Sequence, residues 1–548
     1  MPPDTTGNFA ATLSAVALAD PGRTALIEPV RASRWRQVNF VELDVLANRY
    51  AIGLRRHGVR RGDRVLYLLR PSVDAFAVFY ALLRLGAVPA FVDPLIGIAR
   101  LRACVRAVRP AVVIGVPEVH LIRLIARTAF ECVRLLITSG RGSLLGGESL
   151  RSCLAAAGDF VPEAVKSEDE CYLPFTSGST GPPKGVFCTH GMVDAQSELV
   201  RDVCDWRGGM RIVMCYAPFV PFALADGLTV ILPAIDFTRP AAAAPERIVA
   251  AVSAHHADCA FASPIVWMQL ARYCESERIS LPTLRRAVAA GAPVQADLHR
   301  RLLAVMHPEG QLYTPYGATE AMPITTASSS ALAGTWQQTR TGAGTCVGAP
   351  LRGTEVLVIR VTDEAIATWS DDLALTRGAI GELVVGGDMV SPAYFDDAAQ
   401  TTLAKIDRGG RVLHRTGDLG CIDGEGRVWF CGRKSHRIET REGMLAPVPI
   451  ENVLNEHPDV FRTAAVGVGA KGQQQVVACV EMEEGRRFTP VLEAELTALA
   501  DATCFKGVIA RFLPHHGFPV DPRHNSKIKR DELAVWATGR LAARVSSR

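Results

Sequence analysis

The segment Pro174-Phe-Thr-Ser-Gly-Ser-Thr-Gly-Pro-Pro-Lys-Gly185 combines glycines, hydroxyl side chains and one lysine in a single loop. Glycine has no Cβ, so the backbone N–H groups around Gly178 and Gly181 can approach phosphate oxygens closely. The hydroxyls and the Lys184 ammonium add donors and a positive charge. The spacing is not that of a Walker A loop, which has four residues between its glycines. The composition therefore predicts a polyphosphate-binding loop, although a surface turn is also rich in Ser, Gly and Pro.

Six further motifs follow this loop along the chain. They are Ala290-Gly-Ala-Pro293, Tyr316-Gly-Ala-Thr-Glu320, Gly381-Glu-Leu, Arg415-Thr-Gly-Asp418, Gly432-Arg433 and Asn525-Ser-Lys-Ile-Lys-Arg530. In this order they resemble the adenylate-forming superfamily, which includes acyl-CoA synthetases, nonribosomal-peptide adenylation domains and luciferases. The resemblance spans nearly the whole chain and implies ATP-dependent activation of a carboxylic acid.

The resemblance also implies a role for each motif. The loop would hold the β- and γ-phosphates of ATP, Thr319 would reach the α-phosphate, and Glu320 would bind Mg²⁺, which prefers carboxylate oxygen. Asp418 would accept hydrogen bonds from the ribose hydroxyls, Arg433 would contact ribose or phosphate, and Tyr316 would stack on adenine. The expected catalytic residues are Lys527, Lys184, Thr319 and Glu320. The expected nucleotide- or CoA-binding residues are Thr176, Ser177, Gly178, Ser179, Thr180, Gly181, Lys184, Gly291, Ala292, Pro293, Tyr316, Gly317, Ala318, Thr319, Asp418, Arg433 and Gly443.

Length and composition limit the classes of protein to which the chain can belong. A chain of 548 residues is too long for one compact core, so two or three domains are expected. The net charge of +4 argues against a nucleic-acid partner, which usually demands a strong basic bias. No segment predicts a membrane span or a secretory signal, and the 14 cysteines contain no C-x-x-C pair. These features predict a cytoplasmic protein with reduced thiols and no zinc site.

Strand and helix signals alternate through the first four hundred residues. The apolar run Arg64–Leu69, a helix capped by Ser72 and a second run at Ala87–Val92 form one such unit. This alternation of strands and helices predicts an α/β fold whose sheets are parallel and covered by helices. After about Gly432 the pattern changes to a small α+β unit. The resemblance implies an N-terminal domain over residues 1–432 and a mobile C-terminal lid over 433–548, with a hinge near Lys434-Ser435.

Three departures from the superfamily pattern are present: the first concerns the adenylation lysine, and the other two concern the acyl chemistry. Ser526 replaces the usual glycine before Lys527, and the preceding loop is one residue shorter. The segment Ala217–Leu224 has no histidine, where the family often has a gating histidine or aromatic residue. Gly443 is displaced by one position from the glycine that usually lines the pantetheine channel. These details resemble most closely the branch of β-lactone synthetases from bacterial olefin pathways.

Four functions stay open at this point. The first expectation is an AMP-forming acid–CoA ligase that uses ATP, Mg²⁺ and CoA. The second is a β-lactone synthetase, in which the substrate's own β-hydroxyl displaces AMP. The third is an enzyme that only thioesterifies a preformed adenylate, and the fourth is a non-catalytic acyl or nucleotide binder. The substrate is expected to be a small molecule, a neutral apolar carboxylic acid, with Phe222 and Trp267 as candidate pocket residues. The sequence does not define the oligomeric state.

Overall fold

The computed structural model describes residues 7–31, 34–93, 96–140, 147–176, 183–520 and 528–546. Within these ranges three large sheets form the first four-fifths of the fold. In spatial order, the first sheet contains the strands Gln311–Tyr313, Arg286–Ala289, Cys259–Ala262, Arg211–Met214, Thr229–Ile231, Thr24–Arg31 and Arg34–Asn39. The second contains Cys188–Thr189, Glu170–Thr176, Val88–Phe91, Arg64–Leu68, Val112–Gly115, Leu135–Thr138 and Glu148–Ser149, with Lys184–Gly185 paired to the strand 170–176.

Helices cover these two sheets, whose neighbouring strands are mostly parallel. The helices of this part are Ala11–Ala19, Phe40–Arg56, Val73–Arg84, Ile98–Val108, Pro117–Ile125, His190–Cys204, Val220–Ala225, Pro245–Ala254, Pro264–Glu277, Ala296–Val305, Ser329–Ala333 and Trp336–Arg340. The predicted α/β class is thereby confirmed. It follows from continuous apolar strands that are buried on both faces.

The first predicted strand–helix–strand unit shows how the sequence forms these elements. The Ser72 hydroxyl accepts a hydrogen bond from the Ala75 N–H at 3.2 Å and so caps the helix Val73–Arg84. Gly86, at φ +61°, ends the helical turn in a left-handed conformation that suits glycine. The flanking strands then pair in parallel, as the sequence predicted.

The third large sheet differs from the prediction of parallel sheets. Its strands are Tyr316–Ala318, Ala321–Thr326, Thr345–Pro350, Val428–Arg433, Arg411–Ile422, Gly381–Gly386 and Glu355–Ile359, with Lys405–Arg408 paired to 411–422. All of its neighbouring strands are antiparallel. Several of its connections are only a few residues long, which is too short for the crossover that a parallel pair needs. The segment 327–344 contains two short helices, the first capped by Ser328.

The C-terminal part packs around apolar residues of its own, between Ile438 and Leu541. Its three-stranded sheet consists of Val460–Val468, Gln475–Met482 and Ile509–Pro514, beside the short pair Ile438–Glu439 and Met444–Leu445. Its helices are Pro447–Leu454, Pro490–Asp501 and Arg530–Ser546, and Ala398–Ala404 precedes them in the third sheet region. The α+β character predicted after residue 432 is confirmed. Along the described ranges, no helix has both the length and the apolar character needed to cross a bilayer.

Candidate active site

A cavity of about 1990 Å³ is lined by residues from all three large sheets. It brings together the predicted residues Thr176, Lys184, Gly291, Tyr316, Gly317, Ala318, Thr319, Glu320 and Arg433. The predicted residues Ala292, Pro293, Asp418 and Gly443 do not line it, although Asp418 bonds to two residues that do. The predicted residues Ser177, Gly178, Ser179, Thr180, Gly181 and Lys527 lie outside the described residues.

The topology explains why this cavity forms where it does. Ligands of open α/β sheets bind beyond the carboxyl ends of the parallel strands. Cys215 follows the strand Arg211–Met214, and Ala290-Gly291 follows Arg286–Ala289, and all three residues line the cavity. Gly291 has φ +95°, a conformation that a side chain would strain. The chain can therefore turn away from the sheet at this point and leave space beside it.

Thr319 and Glu320 form the two-residue turn between the antiparallel strands Tyr316–Ala318 and Ala321–Thr326. Hairpin register is fixed by the length of such a turn, so both side chains have a defined position at its tip. Glu320 is buried and lines the cavity together with Thr319. The hairpin thus carries the predicted metal ligand and the predicted α-phosphate contact into one place.

Asp418, Tyr316 and Arg433 form one hydrogen-bonded cluster. Asp418 and Arg433 are direct partners on neighbouring antiparallel strands, and the Arg433 Nη1 donates to Asp418 Oδ1 at 2.8 Å. The Tyr316 hydroxyl donates to Asp418 Oδ2 at 2.6 Å. Burial, followed by the Asp418 charge, raises the pKa of Tyr316 well above its usual range, so the hydroxyl remains a donor. The cluster holds a buried carboxylate, 6% exposed, at the edge of the cavity.

A second cluster surrounds Glu320 and includes residues that the sequence analysis missed. The Tyr394 hydroxyl donates to Glu320 Oε1 at 2.8 Å. The Lys184 ammonium lies 5.2 Å from the centre of the Tyr394 ring, and the Lys405 ammonium lies 5.9 Å from it. Lys405 Nζ also donates to the Ser391 carbonyl at 2.6 Å. No motif of the sequence marked Tyr394 or Lys405, because they come from strand and loop positions far from the phosphate loop.

Burial shifts the pKa values of this second cluster. It lowers the pKa of Lys405 to about 7, while Glu320 and then Cys188 act in the opposite direction. His414 is the cross-strand partner of Lys405, and burial, followed by the Lys405 charge, lowers its pKa well below the usual range. Burial and the Glu320 charge raise the pKa of Tyr394. Tyr394 therefore keeps its proton and stays a donor to the carboxylate.

The Glu320 carboxylate fits a magnesium ligand. One of its oxygens is bonded to Tyr394, and among the described residues no group donates to the other oxygen, Oε2. The described part of the chain contains no group of three or more His, Cys, Asp or Glu residues that could hold a metal by itself. Mg²⁺ at nucleotide sites commonly takes one or two carboxylates together with substrate phosphates, so a single carboxylate is sufficient.

The remaining wall of the cavity is rich in aromatic side chains. Its aromatic residues are Phe9, Tyr67, Phe76, Phe79, Phe91, Tyr172, Phe175, Tyr216, Phe219, Phe222, Phe237, Phe261, Tyr316 and Tyr394. Phe219 and Phe261 stack with ring centres 4.5 Å apart. Phe222 lines the cavity as expected, but Trp267 does not: its Nε1 donates to the Val288 carbonyl at 2.9 Å inside the core. The apolar wall suits a hydrocarbon chain more than a charged substrate.

The predicted hinge follows directly after Arg433. Lys434 Nζ donates to the buried Glu382 carboxylate and to the Thr362 carbonyl, each at 3.1 Å, whereas Ser435 is exposed. Gly443 lies in an open turn with φ +134°, and an added Cβ there would meet no atom within 4 Å. Arg530, which follows the predicted catalytic lysine, forms a bidentate ion pair with the buried Glu451. It is therefore a structural residue of the C-terminal part and not a solvated surface charge.

Comparison with known proteins gives a consistent result. Residues 13–395 match the family described as AMP-binding enzyme. The chain is 40% identical to an olefin β-lactone synthetase of Xanthomonas campestris pv. campestris, over 91% of each chain. It is 38% identical to an olefin β-lactone synthetase of Stenotrophomonas maltophilia, over 98% of this chain and 99% of that one. The fold is also similar to the anthranilate CoA ligase AuaEII in complex with anthranoyl-AMP, with a TM-score of 0.82 over 98% of each chain at 18% identity.

Proposed function

Because this chain belongs to the AMP-binding enzyme family, we propose that it is an adenylating enzyme that makes a β-lactone from a 3-hydroxy acid and ATP. The observation that carries the choice of product is the similarity, over nine-tenths of the chain or more, to two olefin β-lactone synthetases. The likeness to the anthranilate CoA ligase is one of fold. We therefore favour the lactone over the acid–CoA ligase, which was the first expectation from the sequence.

In the first step, the substrate carboxylate attacks the α-phosphate of ATP. A bond forms between a carboxylate oxygen and phosphorus, and pyrophosphate leaves with the electron pair of the broken P–O bond. Both reactants are anions, so the step needs fixed positive charge where negative charge accumulates. Lys184, which lines the same cavity as Thr319 and Glu320, would supply such a charge, and Asp418 would orient the ribose. Mg²⁺ on Glu320 would further neutralise the phosphates.

In the second step, the substrate's β-hydroxyl oxygen attacks the acyl carbon. The new C–O bond closes a four-membered ring, AMP leaves with the electron pair of the acyl–phosphate bond, and the hydroxyl proton is lost to solvent. An intramolecular nucleophile has a high effective molarity, so no second cosubstrate is required. The aromatic cavity would hold the alkyl chains and exclude the water that would otherwise hydrolyse the adenylate.

Two further parts of the proposal concern the whole molecule. Residues 433–548 would act as a lid that turns about Ser435, since Lys434 is bound to the N-terminal domain through Glu382. Lys527 would then reach the α-phosphate when the lid closes. The protein would work in the cytoplasm, which agrees with fourteen cysteines none of which forms a disulfide.

The test is mass spectrometry of the products from a 2-alkyl-3-hydroxy acid and ATP, with and without CoA. The expected products without CoA are the β-lactone, AMP and pyrophosphate. The matched control is the acid that lacks the 3-hydroxyl, from which only adenylate or its hydrolysis products should form. A product that appears only with CoA and carries CoA as a thioester would overturn the proposal and restore the acid–CoA ligase.

A further inference from the structure

Tyr394 touches both charged groups that the proposed adenylation step needs, although it belongs to none of the sequence motifs. Its hydroxyl is 2.8 Å from Glu320 Oε1, and its ring is 5.2 Å from the Lys184 ammonium. The residue lines the cavity and is 8% exposed. One side chain therefore joins the expected magnesium carboxylate to the expected phosphate lysine.

The hydrogen bond from the Tyr394 hydroxyl orients the Glu320 carboxylate. A carboxylate that ligates a metal is usually held by an outer hydrogen bond, and loss of that bond weakens metal binding. Here Tyr394 holds Oε1, and the backbone N–H of Ser391 donates to the Glu320 carbonyl at 2.8 Å. The segment that carries Tyr394 thus holds Glu320 by both its side chain and its backbone.

The same segment is fixed to the strand that carries Lys184. The Phe395 N–H donates to the Gly185 carbonyl at 2.8 Å, and the Phe187 N–H donates to the Ala393 carbonyl at 3.2 Å. These bonds fix the backbone of Tyr394 relative to the end of the phosphate loop. The ring then presents its electron-rich surface to the ammonium, a contact that limits the positions of a flexible lysine.

Two contacts with other neighbours also hold Tyr394 in place. Its N–H donates to the Thr401 hydroxyl at 3.0 Å, and the Lys405 ammonium lies 5.9 Å from its ring while bonded to Ser391. The side chain is therefore fixed before any ligand arrives. A preorganised support of this kind avoids reorganisation at the moment of reaction.

We propose that Tyr394 is a positioning residue that sets Glu320 and Lys184 at the mutual distance required by Mg²⁺ and the ATP phosphates. It touches no reacting atom and acts through these two side chains. The proposal rests on the proposed function only for the adenylation step. That step is common to lactone and CoA products, so the identity of the final product does not affect the test.

The first experiment compares wild type with Tyr394→Phe, which removes the hydroxyl and keeps the ring. Pyrophosphate release is measured as a function of Mg²⁺ concentration, and Mn²⁺ binding to the enzyme with a non-hydrolysable ATP analogue is followed by electron paramagnetic resonance. We expect the half-saturating Mg²⁺ concentration and the Mn²⁺ Kd to rise about 10–100-fold, with kcat restored at high Mg²⁺. The KM for the acid should stay unchanged.

The matched control is Tyr50→Phe. Tyr50 also donates its hydroxyl to a carboxylate, Asp74 Oδ1 at 2.7 Å, but it does not line the cavity. Loss of the Tyr50 hydroxyl should leave the half-saturating Mg²⁺ concentration and the Mn²⁺ Kd at their wild-type values. A metal dependence that shifts equally in both variants would show a general effect on the fold and overturn the proposal.

A second variant, Tyr394→Leu, removes the ring as well. We expect the same loss of metal affinity and an additional rise in the KM for ATP that excess Mg²⁺ does not reverse, because Lys184 then lacks its aromatic contact. The proposal fails if Tyr394→Phe lowers kcat while the Mg²⁺ and Mn²⁺ titrations stay at wild-type values. It also fails if Tyr394→Leu and Tyr394→Phe have the same KM for ATP.

Discussion

Replacement of Asp418 by alanine should selectively weaken nucleotide binding. A carboxylate has about four lone-pair positions for hydrogen bonds. Tyr316 and Arg433 each occupy one, so two positions remain, as many as the ribose hydroxyls require. The geometry of the cluster therefore leaves Asp418 suited to accept both hydroxyls while it stays neutralised by Arg433.

The magnitude follows from the charge of the acceptor. A hydrogen bond to an ionised group contributes about 1.5–3 kcal/mol, and each 1.4 kcal/mol is tenfold in affinity. Loss of one such bond would weaken AMP binding about 10–150-fold on this scale. The two bonds share one acceptor and are not additive. We therefore expect the Kd for AMP to rise about 10²-fold in Asp418→Ala.

Isothermal titration of AMP into both proteins measures this change, with thermal unfolding as the check on folding. The control is Asp74→Ala, because Asp74 is likewise bonded by a tyrosine hydroxyl and faces an arginine, Arg36 Nη1 at 3.5 Å. Asp74 lies in the first turn of the helix Val73–Arg84, outside the cluster of Tyr316, Asp418 and Arg433, so its loss should not change AMP binding. An Asp418→Ala variant that is folded and binds AMP within threefold of wild type would refute the ribose assignment.

Three further predictions concern other parts of the molecule. Burial lowers the pKa of Lys405 from 10.5 to about 7, so between these pH values the unfolded chain binds more protons and the free energy of unfolding should rise with pH. Urea titrations from pH 7 to pH 10 should show this rise in the wild type but not in Lys405→Met, and equal pH profiles of the two proteins would contradict it. Gly443→Leu strains the backbone at φ +134°, but an added Cβ meets no atom within 4 Å and the turn does not line the cavity, so lactone output per folded protein should stay unchanged. A selective loss of a CoA thioester in product analysis would instead favour the ligase. Lys527→Ala should slow pyrophosphate release about 10²–10³-fold but spare lactone formation from a supplied acyl-adenylate, and equal losses in both assays would argue against a role confined to adenylation.

The parts of the fold that the sequence predicted correctly rest on local signals. Ser72 and Gly86 mark the two ends of one helix. In the structure Ser72 caps the start of the helix Val73–Arg84, and Gly86 has the left-handed conformation just after its end. The motif residues Lys184, Tyr316 and Glu320 also line one cavity, while the roles assigned to them stay predictions. Each of these inferences needs only neighbouring residues or the fixed order of motifs, which the chain displays directly.

The parts that were missed depend on contacts between distant segments. The hydrogen bond from Tyr394 to Glu320 spans 74 positions, and the strand of Lys405 pairs with the strand Arg411–Ile422, which places Lys405 opposite the buried His414. A lysine near a strand end resembles a surface residue until that pairing is known. The antiparallel third sheet was missed for a related reason, because short apolar runs do not reveal the direction of their partners.

The bond between Arg433 and Asp418 also has a thermodynamic consequence for the proposed lid. Arg433 lies two residues before Ser435, so rotation of the proposed lid about Ser435 would change the surroundings of the cation that pairs with Asp418, the proposed ribose carboxylate. Coupling between two equilibria is reciprocal. If the orientation of the lid alters the affinity for nucleotide by some factor, nucleotide binding must shift the balance of lid orientations by the same factor. Release of AMP and rotation of the lid would then be one linked equilibrium.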